Sequence, residues 1–427
     1  MTETKKRQFK LRGLIEGFYG TPWTWEQRSN FIPRLKQMGF NAYLYAPKDD
    51  DYVREHWREL YDKKTLSFLN DFKNTCEQTG IQLIYLLAPA FSMIFSNSSD
   101  HAALIAKYSQ LYDIGIRTFG LLFDDVSEIL KNDADRKKFG SVLNAHIDAA
   151  LRTYNSLKKI DEQIELIVCP MEYSGDGSKG YLGPFAKAIP DDVKIFYTGD
   201  TACAYELTVE NAKRFSKLTG KKPLYWDNYP VNDNKMTREL HIAPVINRDK
   251  DLALYAEGLV VNPMELMEAS MLPLYTFGEY LNDGNSYNPE DSFKRAVNNL
   301  LGETYYDAVS VLRELCYKSP LTFHGEEFSQ EDSRIVRHTQ FLSLIENGTD
   351  EQLKNWASAK LERLKQLQQC ENKDFLADCN RWIKSGIAFS EAVTHLDKRM
   401  LKKYLEDDPE DVMLYESRKL LEHLTAD

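Results

Sequence analysis

The chain has 427 residues, of which 43% are hydrophobic and 12% aromatic, so it can bury the core of one large barrel with an appendage or of two domains. Its formal net charge of −11 argues against a nucleic acid or an anionic membrane surface as a partner. No apolar stretch reaches the roughly 18 residues of a membrane-spanning helix, and the first ten residues lack the apolar centre of a signal peptide, so we expect a cytoplasmic protein.

Short β-rich runs alternate with amphipathic stretches from residue 11 to residue 262, as expected of repeated βα units with a parallel sheet. The runs are Leu11–Glu16, Asn41–Tyr45, Gln82–Leu87, Phe119–Phe123, Ile164–Val168, Lys194–Tyr197, Pro223–Trp226 and Gly258–Val261. Eight is the number of strands that closes a (β/α)8 TIM barrel. Between the runs, Thr24 with Gln27 three residues later, and Thr208, predict the starts of helices.

The last run is followed by a predicted closing helix, Met264–Leu281, and by a turn-rich segment at residues 282–289. Helical periodicity then takes over, with leucine and aromatic stripes separated by charged residues. We therefore predict a (β/α)8 barrel domain over residues 1–285 and a C-terminal all-α helical bundle domain over residues 286–427. The stripes indicate a core rather than a cofactor site. A homodimer interface or a surface that supports the substrate is the open alternative for this domain.

The sequence contains few signals of metal or cofactor binding. The six cysteines are scattered without CxxC spacing, which favours buried, reduced thiols. None of the eight histidines lies at the end of a predicted strand, whereas metal-dependent hydrolase barrels generally use several histidine ligands. The sequence also has no phosphate-binding loop of the P-loop type. We predict no metal and no cofactor.

The ends of the predicted strands carry the candidate functional residues, because the carboxyl ends of the strands of a βα barrel converge on one face. Asp124 and Asp125 follow the fourth run and are the best candidates for chemistry, although turns and helix caps explain aspartate pairs elsewhere in the chain. The other candidates are Gly17, Lys48, Tyr173, Tyr197, Trp226, Asn228, Asp233 and Asn262. Singly, each has a structural explanation. Jointly, they supply carboxylate, amide, phenol, ammonium and aromatic groups, which suit the hydroxyls and the apolar side of a sugar.

Four of these strand-end motifs resemble a known family. They are Gly13–Trp23, Tyr43–Asp50, Leu122–Asp125 and Trp226–Asn228. They are similar to the catalytic domain of family 84 glycoside hydrolases, the O-GlcNAcases and bacterial β-N-acetylglucosaminidases, and the resemblance spans roughly residues 10–283. It implies retaining hydrolysis of terminal β-linked N-acetylglucosamine carried by a protein, a peptide or an oligosaccharide. In this reaction the 2-acetamido oxygen of the sugar attacks the anomeric carbon to give an oxazoline.

The resemblance also implies the roles of the two aspartates. Asp124 would orient the acetamido N–H, and Asp125 would protonate the leaving oxygen and later deprotonate water. Neighbouring carboxylates resist joint ionisation, so we predict that the pair titrates as a coupled unit in which the acid keeps its proton.

The remaining roles are likewise carried over by motif. Tyr173 would donate to the acetamido oxygen, and Asn228 would lie near the acetamido group. The sugar hydroxyls and the pocket wall would be contacted by Asp233, Asn262, the Gly17 carbonyl, Lys48 and Trp226. Strand six departs from the family pattern, because Tyr197 stands where relatives often have Trp, and Tyr197 is expected to line the pocket in its place.

Two alternatives stay open. One is a hyaluronidase-type glycosaminoglycan hydrolase, which needs a basic open groove that the negative net charge disfavours. The other is a catalytically silent carbohydrate-binding barrel, against which the presence of both Asp124 and Asp125 argues.

Overall fold

A computed structural model describes residues 7–316, 339–407 and 413–425. Its parallel strands form a closed barrel in which each strand pairs with the next and the eighth pairs with the first. Strands β1 to β8 are Leu11–Glu16, Ala42–Tyr45, Gln82–Leu87, Thr118–Leu122, Glu165–Cys169, Lys194–Tyr197, Leu224–Asp227 and Gly258–Val261. The predicted barrel is confirmed. Where a strand differs from the sequence prediction, its ends move by one residue.

Helices alternate with these strands and continue after the last one. Helices α1 to α8 are Trp25–Gln37, Lys63–Thr79, Ser98–Asp113, Asp133–Phe139, Val142–Ile160, Leu182–Ala188, Val209–Thr219 and Met267–Asn282. Helices α9 to α15 are Pro289–Leu300, Tyr306–Leu315, Thr339–Asn347, Asp350–Leu367, Lys373–His395, Lys398–Asp407 and Leu414–Thr425. Both predicted helix starts are confirmed: Thr24 forms a capping box with Gln27, and the Thr208 hydroxyl accepts from the Asn211 amide. The closing helix α8 begins at Met267, three residues later than predicted.

The chain divides into two compact units. The first consists of residues 1–228, 247–265 and 278–287, and the second of residues 229–246, 266–277 and 288–427. The first unit contains all the strands of the barrel. The C-terminal helical region is confirmed, whereas the domain boundary at residue 285 and the homodimer stay predictions.

Each unit has a core of its own. Inside the barrel, the packed side chains include Ile15, Leu44, Ile84, Ile167, Phe196, Leu224 and Val260. In the second unit, the predicted stripes bury Leu353, Leu364 and Leu367 of α12 and Phe375, Cys379 and Phe389 of α13. Five of the six cysteines are buried and Cys203 is half-buried, in keeping with the expected buried thiols. Among the described residues, we find no helix with the length and apolarity needed to span a membrane.

The end of β1 is anchored by a buried carboxylate. Glu16 is fully buried and accepts two hydrogen bonds from Arg28 of α1, at 2.7 and 2.6 Å. The hydroxyl of Tyr43 and the backbone amide of Trp23 also donate to it, the latter at 3.2 Å. A carboxylate buried this deeply is stable only when it is paired and hydrogen-bonded. The pair therefore fixes the segment that leaves the barrel after β1.

We expect Glu16→Gln to lower the free energy of unfolding by about 3–5 kcal/mol, because it leaves the buried Arg28 charge without a counter-charge. Urea unfolding followed by circular dichroism measures this. The matched control is Glu128→Gln, since the ion pair of Glu128 with Lys179 is 65% exposed on both sides. That control is expected to cost less than about 1 kcal/mol. Equal losses in the two variants would contradict the anchoring role of Glu16.

Candidate active site

The two adjacent aspartates lie in different surroundings just beyond the end of β4. Asp124 is 8% exposed, whereas Asp125 is exposed to solvent. The backbone of Asp125 has φ = +56°, in the left-handed region that few residues other than Gly, Asn and Asp adopt. This turn of the chain separates the two side chains. Backbone strain of this kind is concentrated at functional sites.

Asp124 is paired with a buried lysine. Lys48, three residues beyond β2, donates from Nζ to Oδ2 of Asp124, and both side chains are largely buried. Burial alone would lower the pKa of Lys48, but the attraction of Asp124 outweighs it and the pKa is raised. The Oδ1 atom of Asp124 is buried and has no hydrogen-bond partner within the described part of the chain. Asp124 thus holds one oxygen for a further N–H or O–H donor.

Asp125 is held by two phenols. The Tyr19 hydroxyl donates to Oδ2 at 2.8 Å, and the Tyr173 hydroxyl donates to Oδ1 at 3.0 Å. Burial, and next the charge of Asp125, raises the pKa of Tyr173, so this phenol keeps its proton at neutral pH. Both oxygens of this solvent-exposed carboxyl group are thus hydrogen-bonded to neutral donors. Such a carboxyl group can give up a proton and take it back, which is the task of a general acid and base.

A row of hydrogen bonds joins the ends of four strands. The Gly17 amide donates to Oδ1 of Asn262 at 3.2 Å, and Nδ2 of Asn262 donates to Oδ1 of Asn228 at 2.9 Å. Asn228 in turn donates from Nδ2 to the carbonyl of Ala202, beyond β6, at 2.8 Å. These residues follow β1, β8, β7 and β6, so the convergence that the sequence predicts is present for them.

Trp226 forms an apolar wall beside this row. A Cβ atom at Gly17 would lie 2.5 Å from Cζ2 of Trp226, so only glycine fits there. The Trp226 indole packs edge-on against Phe196 at 5.3 Å, and Lys48 Nζ lies 5.4 Å from its ring centroid. Within the described residues, its Nε1 atom is buried and lacks a hydrogen-bond partner. An aromatic face beside carboxylate and amide groups suits a sugar ring.

The comparisons with known proteins agree with this geometry. A family model described as NAGidase, β-N-acetylglucosaminidase, matches residues 12–314, which is more than half of the chain. The chain belongs to this β-N-acetylglucosaminidase family. The resemblance seen in the sequence is thereby confirmed.

Two mammalian proteins and two solved structures are similar to this chain. The proteins named Protein O-GlcNAcase of Rattus norvegicus and Mus musculus are each 31% identical over 276 residues, which cover 63% of this chain and 30% of the relative. The chain thus spans less than a third of the length of these curated relatives. A mutant of the Thermobaculum terrenum O-GlcNAc hydrolase has a similar structure, with a TM-score of 0.87, 29% identity and coverage of 97% of this chain and 94% of that one. The structure of CpGH84B matches with a TM-score of 0.77, 26% identity and coverage of 98% and 74%.

Tyr197 does not lie with the other family-motif residues, and the sequence expectation is corrected here. Its ring is 1% exposed and packs against Phe215 of α7 and against Tyr225. Successive residues of a strand face opposite sides, so Phe196, not Tyr197, faces the barrel interior and Trp226. The Tyr197 hydroxyl donates to the carbonyl of Gly175 at 2.7 Å and so supports the segment after β5.

Asp233 belongs to the second compact unit, where it precedes the short helix Asn234–Met236. Its carboxylate accepts from Nδ2 of Asn234 at 3.2 Å. Its assignment to a sugar hydroxyl stays a prediction, as do the ligand contacts assigned to the other residues.

Two side chains that contact Asp125 or its neighbours were not among the residues predicted from the sequence. Tyr19 lies inside the first family motif, where only Gly17 was assigned a contact. Arg54 donates from Nη2 to the Tyr19 hydroxyl at 2.9 Å. Tyr19 could have been found as a polar residue at a strand end. Arg54 lies in the long irregular segment between β2 and α2, which has no periodicity to reveal it.

No metal site accompanies these groups in the described residues. Across residues 7–316, 339–407 and 413–425, no three His, Cys, Asp or Glu side chains come together in a way that could hold an ion. Within those residues, the Lys48 ammonium contacts Asp124 and the neutral hydroxyls of Tyr19 and Tyr173 contact Asp125.

Proposed function

We propose that the protein hydrolyses terminal β-linked N-acetylglucosamine with retention of configuration, and that the acetamido group of the substrate is the nucleophile. The observation that carries the proposal is the state of Asp124. Lys48 donates to one carboxylate oxygen, while the other, buried oxygen has no hydrogen-bond partner among the described residues. An amide N–H of the substrate would satisfy that oxygen and hold the acetamide in place for attack.

The first step forms the oxazoline. The acetamido oxygen bonds to the anomeric carbon as the bond from that carbon to the leaving oxygen breaks. Asp125 gives its proton to the leaving oxygen, and Asp124 takes the proton of the acetamido N–H, whose acidity rises as positive charge develops on the amide. Tyr173 is 3.0 Å from Asp125 and so reaches the same region as a donor to the acetamido oxygen.

The second step returns the amide. Asp125, now ionised, takes a proton from water, whose oxygen bonds to the anomeric carbon as the bond to the acetamido oxygen breaks, and Asp124 returns its proton to the nitrogen. Each of the two steps inverts the configuration at the anomeric carbon, so the overall reaction retains it. No bond to the protein forms, and the separation of the two carboxyl groups is therefore not limited to that of a nucleophile and an acid.

The exposed and buried positions of the two aspartates support an enzyme over a silent sugar-binding barrel. Binding alone needs neither a carboxylate paired with a buried lysine nor a second carboxyl group that faces solvent beside it. The hyaluronidase-type alternative needs cationic groups for an acidic polymer, whereas Lys48, the buried cation that contacts the aspartate pair in the described part of the chain, is already neutralised by Asp124.

The natural carrier of the sugar and the location of the protein form part of the proposal. The mammalian relatives are named Protein O-GlcNAcase, which supports a glycosylated protein as substrate here. The largely buried cysteine thiols support the reducing environment of the cytoplasm.

The decisive comparison is between an aryl β-N-acetylglucosaminide and the matching aryl β-glucoside. We expect kcat/KM to be higher for the former by at least about 10⁵-fold, since a well-placed internal nucleophile contributes about 7–11 kcal/mol. Steady-state assays with both substrates measure this. Comparable turnover of the two would reject the substrate-assisted mechanism. Binding of N-acetylglucosamine without turnover would favour the silent barrel, and internal cleavage of hyaluronan would favour the glycosaminoglycan hydrolase.

A further inference from the structure

Arg54 connects to the catalytic centre through a single phenol. Its Nη2 atom lies 2.9 Å from the Tyr19 hydroxyl oxygen, which lies 2.8 Å from Oδ2 of Asp125. The guanidinium carbon lies 4.2 Å from the ring centroid of Phe91 and 5.1 Å from that of Tyr19. Two aromatic faces and one hydrogen bond thus hold the cation beside Tyr19 without direct contact with the acid.

The chemistry of the guanidinium sets the direction of these hydrogen bonds. Arginine has five N–H donors and no acceptor, so it can only donate to the Tyr19 oxygen. The Tyr19 proton cannot point at Arg54 and is directed to Asp125 instead. Burial raises the pKa of Tyr19 against the opposing pull of Lys48, so the phenol keeps this proton at neutral pH.

We propose that Arg54 is a positioning residue for the general acid: it commits Tyr19 as a donor to Oδ2 of Asp125 in both protonation states. Because Oδ2 is then always an acceptor, the proton that Asp125 transfers resides on Oδ1. Oδ1 is the oxygen beside Tyr173. A proton on Oδ1 frees the Tyr173 hydroxyl hydrogen for the acetamido oxygen of the substrate. This inference rests on the proposed function, in which Asp125 loses and regains a proton in each cycle.

A hydrogen bond donated to a carboxylate is strengthened when the donor oxygen itself accepts one. Other titratable groups also lie near the Asp125 carboxyl group, and the Arg54, Tyr19 and Arg58 variants leave them unchanged. They are Asp124, Lys48, Tyr173 and Cys169.

The experiment is a pH profile of kcat/KM for an aryl β-N-acetylglucosaminide. The oxazoline-forming step needs protonated Asp125, so kcat/KM falls as pH rises through its pKa. Arg54→Met removes a group that favours the ionised form, so we expect the alkaline limb to move up by about 0.5–1 pH unit. Tyr19→Phe is expected to move it in the same direction. The double variant is expected to match Tyr19→Phe alone, because the effect of Arg54 passes through the phenol.

Arg58→Met is the matched control. Arg58 lies in the same segment and over an aromatic ring, that of Trp57 at 4.3 Å, but it binds Asp100 instead of Tyr19. We expect it to leave the alkaline limb in place even if stability falls. Arg54→Lys keeps a charged donor, so we expect its alkaline limb to lie closer to that of the wild type than the limb of Arg54→Met does. An alkaline limb that does not move in Arg54→Met would overturn the proposal. So would a double variant in which Arg54→Met shifts the limb as far as it does in the wild-type background, because Arg54 would then act through space and not through the Tyr19 phenol.

A second readout does not depend on turnover. In protein labelled with ¹³C at the aspartate carboxyl carbon, the Asp125 resonance is identified as the one missing from Asp125→Asn. A higher pKa of that resonance in Arg54→Met than in the wild type supports the inference, and an equal pKa overturns it. An inactive wild type would reject the proposed function alone.

Discussion

Asp124→Asn is expected to lower kcat/KM for aryl β-N-acetylglucosaminides by at least about 10³-fold. The asparagine side chain carries no negative charge to balance the positive charge that develops on the acetamido nitrogen. It also leaves the buried Lys48 ammonium without its counter-ion. Because this contact acts on the nucleophile, we expect a similar loss for good and poor leaving groups. Steady-state assays across aryl leaving groups of different pKa measure it.

The matched control uses a second adjacent aspartate pair of the barrel unit, Asp191 and Asp192. Asp191 lies before β6, at the opposite end of the strands, and its side chain is fully exposed. We expect Asp191→Asn to keep activity within about twofold, in line with other exposed substitutions. If the loss of kcat/KM in Asp124→Asn disappeared with an activated leaving group, Asp124 would act in proton transfer to the leaving group and not at the acetamide.

Asp125→Asn is expected to lower kcat/KM by about 10²–10⁴-fold for a poor leaving group, which is the usual range of general acid catalysis. Asparagine is the replacement of choice, since it also tolerates the positive φ of this position. For a leaving group that departs without a proton, such as a dinitrophenolate, the loss should be much smaller. The alkaline limb of the pH profile should also disappear.

Retention of that alkaline limb in Asp125→Asn would show that another group is the acid. A loss of the same size for activated and unactivated leaving groups would also contradict the assignment. Far-ultraviolet circular dichroism of each variant serves as the check that the barrel still folds.

Much of the barrel was predictable because its signals are local and repeated. Each strand is a short apolar run with turn formers after it. The predicted ends of the strands therefore lie within one residue of the observed ends. The topology of a closed parallel barrel then brings the strand ends together without knowledge of any side-chain contact. Asp124, Asp125, Gly17, Asn228 and Asn262 could be grouped in this way.

The errors and omissions depend on information that the sequence pattern does not contain. Whether Phe196 or Tyr197 faces inward depends on register, and a one-residue change in register reverses every side chain of a strand. The pairing of Lys48 with Asp124 joins the segments after β2 and β4, which no spacing in the chain relates. Arg54 reaches Tyr19 from a segment that is neither helix nor strand.

The hydrogen-bonded row from Gly17 to Ala202 has a fixed polarity. A backbone N–H at one end can only donate and a backbone carbonyl at the other can only accept, so each asparagine amide between them has a determined orientation. Exchanging the Asn262 amide for a carboxylate would set two acceptors against each other at Asn228. A change of one atom beyond β8 would thus alter the hydrogen bonding of Asn228, beyond β7, which we propose lies near the acetamido group of the substrate.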